Sequence, residues 1–469
     1  MTVLKLAWRN LGRNRRRTAI TGAALVVGVA LSIAGYGLTD GMLAELLRAL
    51  TRNELGHVQI HAPAFPRSRA LADAIDDPSA ALRAAAATPG VVAAAPRVFG
   101  YALISRDRVS AGAQIVGVDP TAEPRVTTLH EQLIAGRYLD AEPTPWPAGR
   151  ELTDEERALD AQITAAAEAA ALADIEGIDA PPPPPVDPAA ARALAEAVAP
   201  RPRRPPRVLV GAALARTLGV GAGDRFHVLA QAADGQSEEV FVEVAGVFDT
   251  GTPAVDRGRV YFHIDDARRL LHLGGRAHEI AVVGSSPERA GAIAAALRRA
   301  LGDGVLVRTW YEIRPDIQRM VDTTEVSMVI MMLILFFVAA LGVVNTMLMA
   351  VFERTREIGM LKAIGMSGGR VVAMIVAETV LLAAAFAAIG TAAGVALDVY
   401  MVRQGIDLSR FTGGFSIGGV GLRPVFHGAI TARGVVLPGV VLAAVCFCAA
   451  FYPAVRAARL PPAVGMRQV

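Results

Sequence analysis

A helical membrane protein with four transmembrane helices, carrying one large α+β domain between the first and second, is the fold class this sequence predicts. Three observations predict it. Apolar residues make up 53% of the 469, with a mean hydropathy of +0.40, above the roughly 45–50% of soluble domains. They are bunched into four runs, at 18–38, 326–352, 371–400 and 435–452, each close to the roughly 20 residues a helix needs to cross a bilayer core. Between the first two runs the composition is mixed over a length that suits one or two folded domains.

The leader, 1–17, holds Lys5, Arg9, Arg13, Arg15, Arg16 and Arg17 without an acid. Leu4, Trp8 and Leu11 fall at helical spacing among them, which predicts a short amphipathic helix lying on the membrane surface. The first span, 18–40, is longer than the apolar region of a signal peptide and is followed by three more, so it is expected to be retained. Its Gly22, Gly28, Gly35 and Gly37 suit close helix contact.

The domain occupies 41–322. Residues 56–62 alternate as a strand does, with Val58 and Ile60 on one face and His57, Gln59 and His61 on the other. Two histidines four apart on a strand stand about 13 Å from each other, too far to share a metal. A helix is expected over 70–87, closed by Pro89-Gly90, then strands over 91–105 and 114–118. From 142 to 206 the texture changes to an alanine-rich run at 158–173, five prolines at 181–185 and the basic RPRRPPR ending at Arg207, which is a low-complexity insertion. The fold resumes at Val208 with a helical GAALARTLG, a GAGDRF turn whose Asp224 opens a strand, a buried strand over 241–248, and helices over 265–273 and 287–301. His227, His263, His272 and His278 have no metal-ligand spacing, and no nucleophile–base pair or paired carboxylates stand out. No catalytic residue, metal site or cofactor of its own is therefore expected.

The second span, 323–352, contains Asn345, expected as a polar link between helices. The loop 353–370, ERTREIGMLKAIGMSGGR, carries four bases and two acids. Only Gly359 interrupts its helical stretch, Ile358, Leu361 and Ile364 read as one apolar side, and Gly365 reads as a left-handed cap. Such a helix can dock in a groove of a soluble partner; on spacing alone, its arginines serve equally well just to fix topology. The third span, 371–400, holds Glu378 two turns in, a charge that must pair or sit near the interface. After the loop 401–434 comes the fourth span, 435–453, whose Cys446 and Cys448 face different sides. The tail, 454–469, adds Arg456, Arg459 and Arg467. Bases in 1–17, 353–370 and 454–469 put both termini and the 353–370 loop in the cytoplasm, with 41–322 and 401–434 outside, although the last of these also holds four arginines. The net charge of +3 needs no nucleic acid to explain it.

ERTREIGMLKAIGMS followed by VVAMIVAE, and the closing YPAVRAARLPPAVGMRQV, resemble the signature of the FtsX-like permeases, the membrane subunits of type VII (MacB-type) ABC transporters. WRNLGRNRRRTAITGAALVVGVAL is similar to their first span, and GHVQIHAPAF, AQIVGVDP, IAGRYL and VLVGAALARTLGVGAGDRF to their periplasmic domain. The resemblance implies a multi-pass protein of the bacterial inner membrane with a two-lobed periplasmic domain, the second lobe inserted at 208–258. It makes 353–365, within the 353–370 loop, a coupling helix gripped by a soluble ABC ATPase, two copies of which would sit under a permease dimer. In it Glu353, Arg354, Arg356, Glu357 and Lys362 would be polar contacts, Ile358 and Leu361 buried ones, and Gly359 and Gly365 part of the motif. It implies a second permease copy or paralogue, and ATP and Mg bound on the ATPase. This sequence agrees: its only lysines, Lys5 and Lys362, each follow a leucine, so no Gly-Lys-Ser/Thr phosphate loop is present.

GHVQIHAP, RTWYEIRPDIQRM and GIDLSRF look most like the lipoprotein-releasing (Lol-type) permeases. That likeness implies lipid-anchored cargo, a periplasmic carrier or adaptor, and a lateral entrance from the membrane lipids. Met42, Leu43, Leu46 and Leu47 of the first span with Met328, Met331, Met332 and Phe336 of the second would line the entrance, their flexible thioethers adapting to varied acyl chains. The same residues also read as ordinary packing surface. An FtsX-like regulator of a periplasmic hydrolase and a MacB-like exporter of drugs or peptides are the alternative functions.

Overall fold

The computed structural model describes residues 15–145, 155, 158, 159, 161–166, 185–191, 204–407, 415–422 and 425–459. The leader helix, most of the 142–206 insertion, part of the 401–434 loop and the tail beyond 459 lie outside the described residues. The chain divides into two compact units, one made of 51–310 and the other of the flanking segments.

The 51–310 unit is built on ten strands: β1 Val58–His61, β2 Val91–Arg106, β3 Val109–Val118, β4 Leu133–Gly136, β5 Arg207–Gly211, β6 Arg225–Gln231, β7 Ser237–Phe248, β8 Arg259–His263, β9 Glu279–Gly284 and β10 Leu306–Thr309. β10, β1, β9 and the first half of β2 form an antiparallel sheet, against which the helices Pro78–Ala87 and Ala290–Leu301 pack. The second half of β2 pairs with both β3 and β6. β3 continues to β8, β8 to β5, β5 to β7 and β7 back to β6. These six strands close on themselves, which removes the edges an open sheet would expose. Val98, Ile104, Ile115, Val208, Val210, Phe226, Val228, Val242, Val260 and Phe262 fill the interior, together with Leu214, Leu218, Leu270 and Leu271.

The closed barrel corrects the expected inserted lobe at 208–258. That segment supplies β5, β6 and β7, but the ring needs β2, β3 and β8 as well, and all are hydrogen-bonded into one sheet. Two local expectations also change. The helix predicted over 70–87 starts only at Pro78, because Asp77 caps it through Ser79 N and proline suits a first helical turn. β1 is central in its sheet, so His57, Gln59 and His61 are as buried as Val58 and Ile60.

Among the described residues, four helices are long and apolar enough to cross a membrane. α1, Arg15–Leu50, has 36 residues and α2, Pro315–Glu353, has 39. At 1.5 Å per residue these run to about 54 and about 58 Å, well beyond a hydrocarbon core of about 30 Å. A short helix α3, Thr355–Ala363, follows; then come α4, Gly368–Gln404, and α5, Ala432–Ala458. α5 runs straight through Pro453, where the sequence had suggested an end.

α1 and α2 are antiparallel neighbours. Thr21 Oγ1 and Thr346 Oγ1 lie 2.8 Å apart, and Thr39 Oγ1 donates to Met328 Sδ at 3.8 Å. The two contacts are 18 residues apart on both helices (39 − 21 and 346 − 328), so the pair stays in step over about 27 Å. Asn345, expected to provide this link, faces outward, and its neighbour Thr346 makes it instead. α1 meets α4 more closely: a Cβ on Gly390 would lie 2.8 Å from Val29 Cβ, and one on Gly394 2.8 Å from Ile33 Cβ. Small residues four apart admit this approach where apolar burial gives no driving force. From α1, Gly22 and Gly37 take the Phe386 ring and the Asp398 carboxylate, while nothing lies within 4 Å of where a Gly35 Cβ would stand. Leu25, Val29, Ile33, Met332, Phe336, Val343, Leu382 and Leu442 form the bundle core. Cys446 belongs to it and Cys448 is exposed, as their spacing predicted.

Candidate functional site

The loop between α2 and α4 holds the geometry most suited to a partner. α2 stops at Glu353 and α3 begins at Thr355, with Arg354 between them out of helical conformation (φ −108°, ψ 13°). α3 ends as predicted. Gly365 takes φ +104°, its N–H donates to the Lys362 carbonyl at 3.0 Å, and Met366 N–H donates to the Leu361 carbonyl at 2.9 Å. That pair of bonds closes the helix end where only glycine is unstrained.

Which side of α3 faces outward differs from the expectation. Ile358 is only 3% exposed, packed among Val351, Val371, Ile375, Ala454 and Ala457 of this same chain. Ile364 is 84% exposed, and Met360 and Arg356 are exposed with it. Six residues of helix turn Ile364 about 120° away from Ile358, so the two cannot share a side. Residues 356, 360 and 364, four apart, do share one. Glu353 and Gly365 are exposed, whereas Glu357, Leu361 and Lys362 are half-buried and Gly359 is buried. Arg354 turns inward too: its Nη1 donates to both Glu378 oxygens, at 2.9 and 3.2 Å, and its Nε to Glu357 at 3.4 Å. Lys362 Nζ donates to the Ala458 carbonyl at 2.7 Å. Of the residues the sequence offered as contacts for a partner, Arg354, Ile358 and Lys362 therefore bind within the chain. Met360 went unnoticed because the reading tracked branched apolar residues; a plot of four-residue spacing from Arg356 would have found it.

The eight residues proposed for a lateral entrance do not share one face. Met332 and Phe336 are buried in the bundle core, while Met331, a single step of 100° away, is 70% exposed. Leu46 is buried; Met42, Leu43 and Leu47 are half-buried, and Met328 is partly buried beside Thr39.

The 51–310 unit contains a second polar cluster, missed in the sequence because its members are far apart in the chain. Arg97 is 5% exposed and donates to Glu123 at 2.7 and 3.2 Å and to Glu279 at 2.9 Å. Thr127 Oγ1 adds a bond to Glu123 at 3.0 Å. Burial alone would lower the Arg97 guanidinium, and the two carboxylates more than reverse that. Burial pushes Glu279 up to about 7 against the pull of Arg97. Nearby, burial lowers His61 to about 4, and it lowers His57 and His278 as well. These rings are structural: His57 Nδ1 accepts from Gly284 N–H, and His278 Nδ1 accepts from Phe99 N–H. Among the described residues no group of His, Cys, Asp and Glu could hold a metal.

Comparison with known families bears on this arrangement of helices long and apolar enough to cross a membrane, a capped short helix and a β-rich domain. The FtsX-like permease C-terminal family matches residues 329–462, and the MacB-like periplasmic core domain family matches 18–171. The chain therefore carries an FtsX-like permease C-terminal domain and a MacB-like periplasmic core domain. It is 24% identical over 319 residues to the lipoprotein-releasing system transmembrane protein LolC of Neisseria meningitidis serogroup B, covering 66% of this chain and 61% of that protein. LolC of Xylella fastidiosa is 24% identical over 282 residues, covering 55% of this chain and 64% of the relative. The chain thus spans less than two thirds of the length of these relatives. Among solved structures, it resembles the extracellular domain of the transporter YknZ from Gram-positive bacteria (TM-score 0.28, 12% identity, 54% of this chain and 99% of that one). It also resembles the periplasmic region of MacB from Actinobacillus actinomycetemcomitans (TM-score 0.31, 12% identity, 59% and 98%).

Proposed function

We propose that this chain is the membrane subunit of an ATP-driven ABC system of the mechanical type. In this reading a separate ATPase seats on α3, and the spans carry its motion to the domain on the other side of the bacterial inner membrane. The observation that carries the reading is the outward face of α3. An exposed stripe of Arg356 and Met360 on α3, continued by Ile364 at its C-terminal cap, packs on no other part of the chain among the described residues. One base beside two exposed apolar side chains suits a helix that docks in a groove of a partner. Two permease copies or a permease with a paralogue, over two ATPase subunits, would complete the assembly, with ATP and Mg held by the ATPase. The cargo we propose is lipid-anchored protein or another amphiphile. Its support is the likeness to two lipoprotein-releasing LolC proteins.

In the purified complex, Met360→Asp with Ile364→Asp should lower permease-stimulated ATP hydrolysis at least tenfold without altering membrane insertion. Unchanged stimulation would remove the docking role. For cargo, depletion of the chain should leave labelled lipoproteins in the inner membrane; full release with altered drug sensitivity would favour an export pump.

A further inference from the structure

α3 is joined to α2 through Arg354, which is not helical. Its other end runs through the turn 364–367 into α4, and a helix held only by two backbone joints can still roll about the line between them. Two side chains remove that freedom. At the start of α3, Arg354 holds both oxygens of Glu378, a residue of α4. Toward its end, Lys362 holds the carbonyl of Ala458, in the last turn of α5. Between them Ile358 sits in a socket made by Val351 of α2, Val371 and Ile375 of α4, and Ala454 and Ala457 of α5.

We propose that Arg354 and Lys362 divide the load on α3 between two spans, Arg354 passing it to α4 through Glu378 and Lys362 passing it to α5 through the Ala458 carbonyl. This deepens the docking reading and rests on it. Both links are of the strong kind. The Arg354 contact engages both carboxylate oxygens at a site where the two side chains are 16% and 10% exposed, so water competes little. Lys362 reaches one of the last carbonyls of a helix, which lack partners within the helix and favour a cation. Space lies beside the first link. A cavity of about 90 Å³ is lined by Met347, Arg354, Ile358, Met374 and Glu378. Glu357 on α3 itself accepts from Arg354 Nε at 3.4 Å, so the one guanidinium bridges α3 to Glu378 of α4. Arg354, Glu378 and Lys362 are thus positioning residues, distinct from the face that meets the partner.

Hydrogen exchange of the full-length chain in lipid nanodiscs tests the clamp without any ATPase. Glu378→Gln should speed exchange across 355–363 about tenfold, and the exchanged pair Arg354→Glu with Glu378→Arg should return it to within about twofold of the native rate. No change in the first variant, or no rescue in the second, overturns the Arg354 arm. A second measurement follows ATP-driven exchange changes in the complex with its ATPase, a readout that loss of local packing does not reproduce. Glu378→Gln should abolish the ATP response in α4 and keep it in α5, and Lys362→Met should do the reverse. If either variant abolishes both responses, or neither, the load is not divided. If the native complex shows no response in any span, the docking reading falls and the load with it, while the nanodisc result still decides the clamp.

Discussion

Arg97 and Arg354 each hold a glutamate at 2.9 Å, yet they are different devices. Arg97 lies in the 51–310 unit with Glu123 and Glu279, and all three side chains are at most 6% exposed. Arg97 on β2 and Glu279 on β9 stand directly opposite each other in the sheet ladder, and Glu123 closes the cluster from a short helix. Arg354 sits where two helices meet, less buried, beside a cavity and within reach of a second carboxylate. The same pair of groups locks a sheet when sealed in and makes an adjustable joint when left at a rim. Distance alone does not distinguish them; burial and the number of available partners do.

The largest effect that would break this contrast is expected at Arg97. Replacing it with Met leaves two buried carboxylates without a counter-ion and should cost about 3–5 kcal/mol, read as loss of the folded 51–310 unit by limited proteolysis of the full chain. A cost below about 1 kcal/mol, the range of exposed pairs, would show the cluster to be open to water after all.

Acid should weaken the same unit next. Burial favours neutral His61 in the folded state, so between its ordinary value of 6.5 and about 4 the unfolded chain holds the extra proton. The stability it contributes is complete above pH 6.5 and is lost as pH falls toward 4, on the order of 3 kcal/mol. His57 and His278, lowered by burial as well, act in the same sense. Glu279, raised to about 7, acts in the opposite sense above pH 4.5. The His61 and Glu279 shifts are of like size and opposite sign, so His57 and His278 decide the net downward shift of thermal unfolding between pH 7 and 4; His61→Gln should flatten or reverse that slope, and an unchanged slope would assign the acid response elsewhere.

At Arg354 the expected stability loss is smaller, about 1–2 kcal/mol for Arg354→Met, with the chain still inserted and folded by its melting profile. A collapse as large as that at Arg97 would make the two arginines equivalent and end the comparison.

The smallest effect concerns the insertion. Its leading stem is tied down: Thr144 donates to Asp266 through N–H and Oγ1, and Arg269 donates to the Thr144 carbonyl. Deleting 142–204, the span that alanine and proline content marked out, would remove that tie. Deleting only 146–203 should shift stability by no more than about 0.5 kcal/mol, measured as the melting temperature of the two deletions side by side.

What the sequence disclosed followed from local rules. Run length located the four spans, glycine chemistry found the Gly365 cap, a two-residue offset separated Cys446 from Cys448, and the cost of a charge in lipid called for either a partner or an interfacial position for Glu378, of which the structure shows the partner. What it withheld needs long-range pairing. Closure of the barrel depends on β2 meeting β6 more than 120 positions later (228 − 104 = 124). Arg97 and Glu279 are 182 positions apart. Even in α3 the helix was found but Ile358 and Ile364 were put on one side, since both sides carry isoleucine and only the socket formed by α4 and α5 decides that Ile358 goes inward.

Photo-crosslinking from this helix tests the account at its centre. With a photoreactive residue at 364 the chain should capture the nucleotide-binding subunit, and with the same residue at 358 it should instead label its own α4 or α5. Capture of the subunit from 358, with none from 364, would contradict the orientation on which the docking face, the clamp and the division of load all depend.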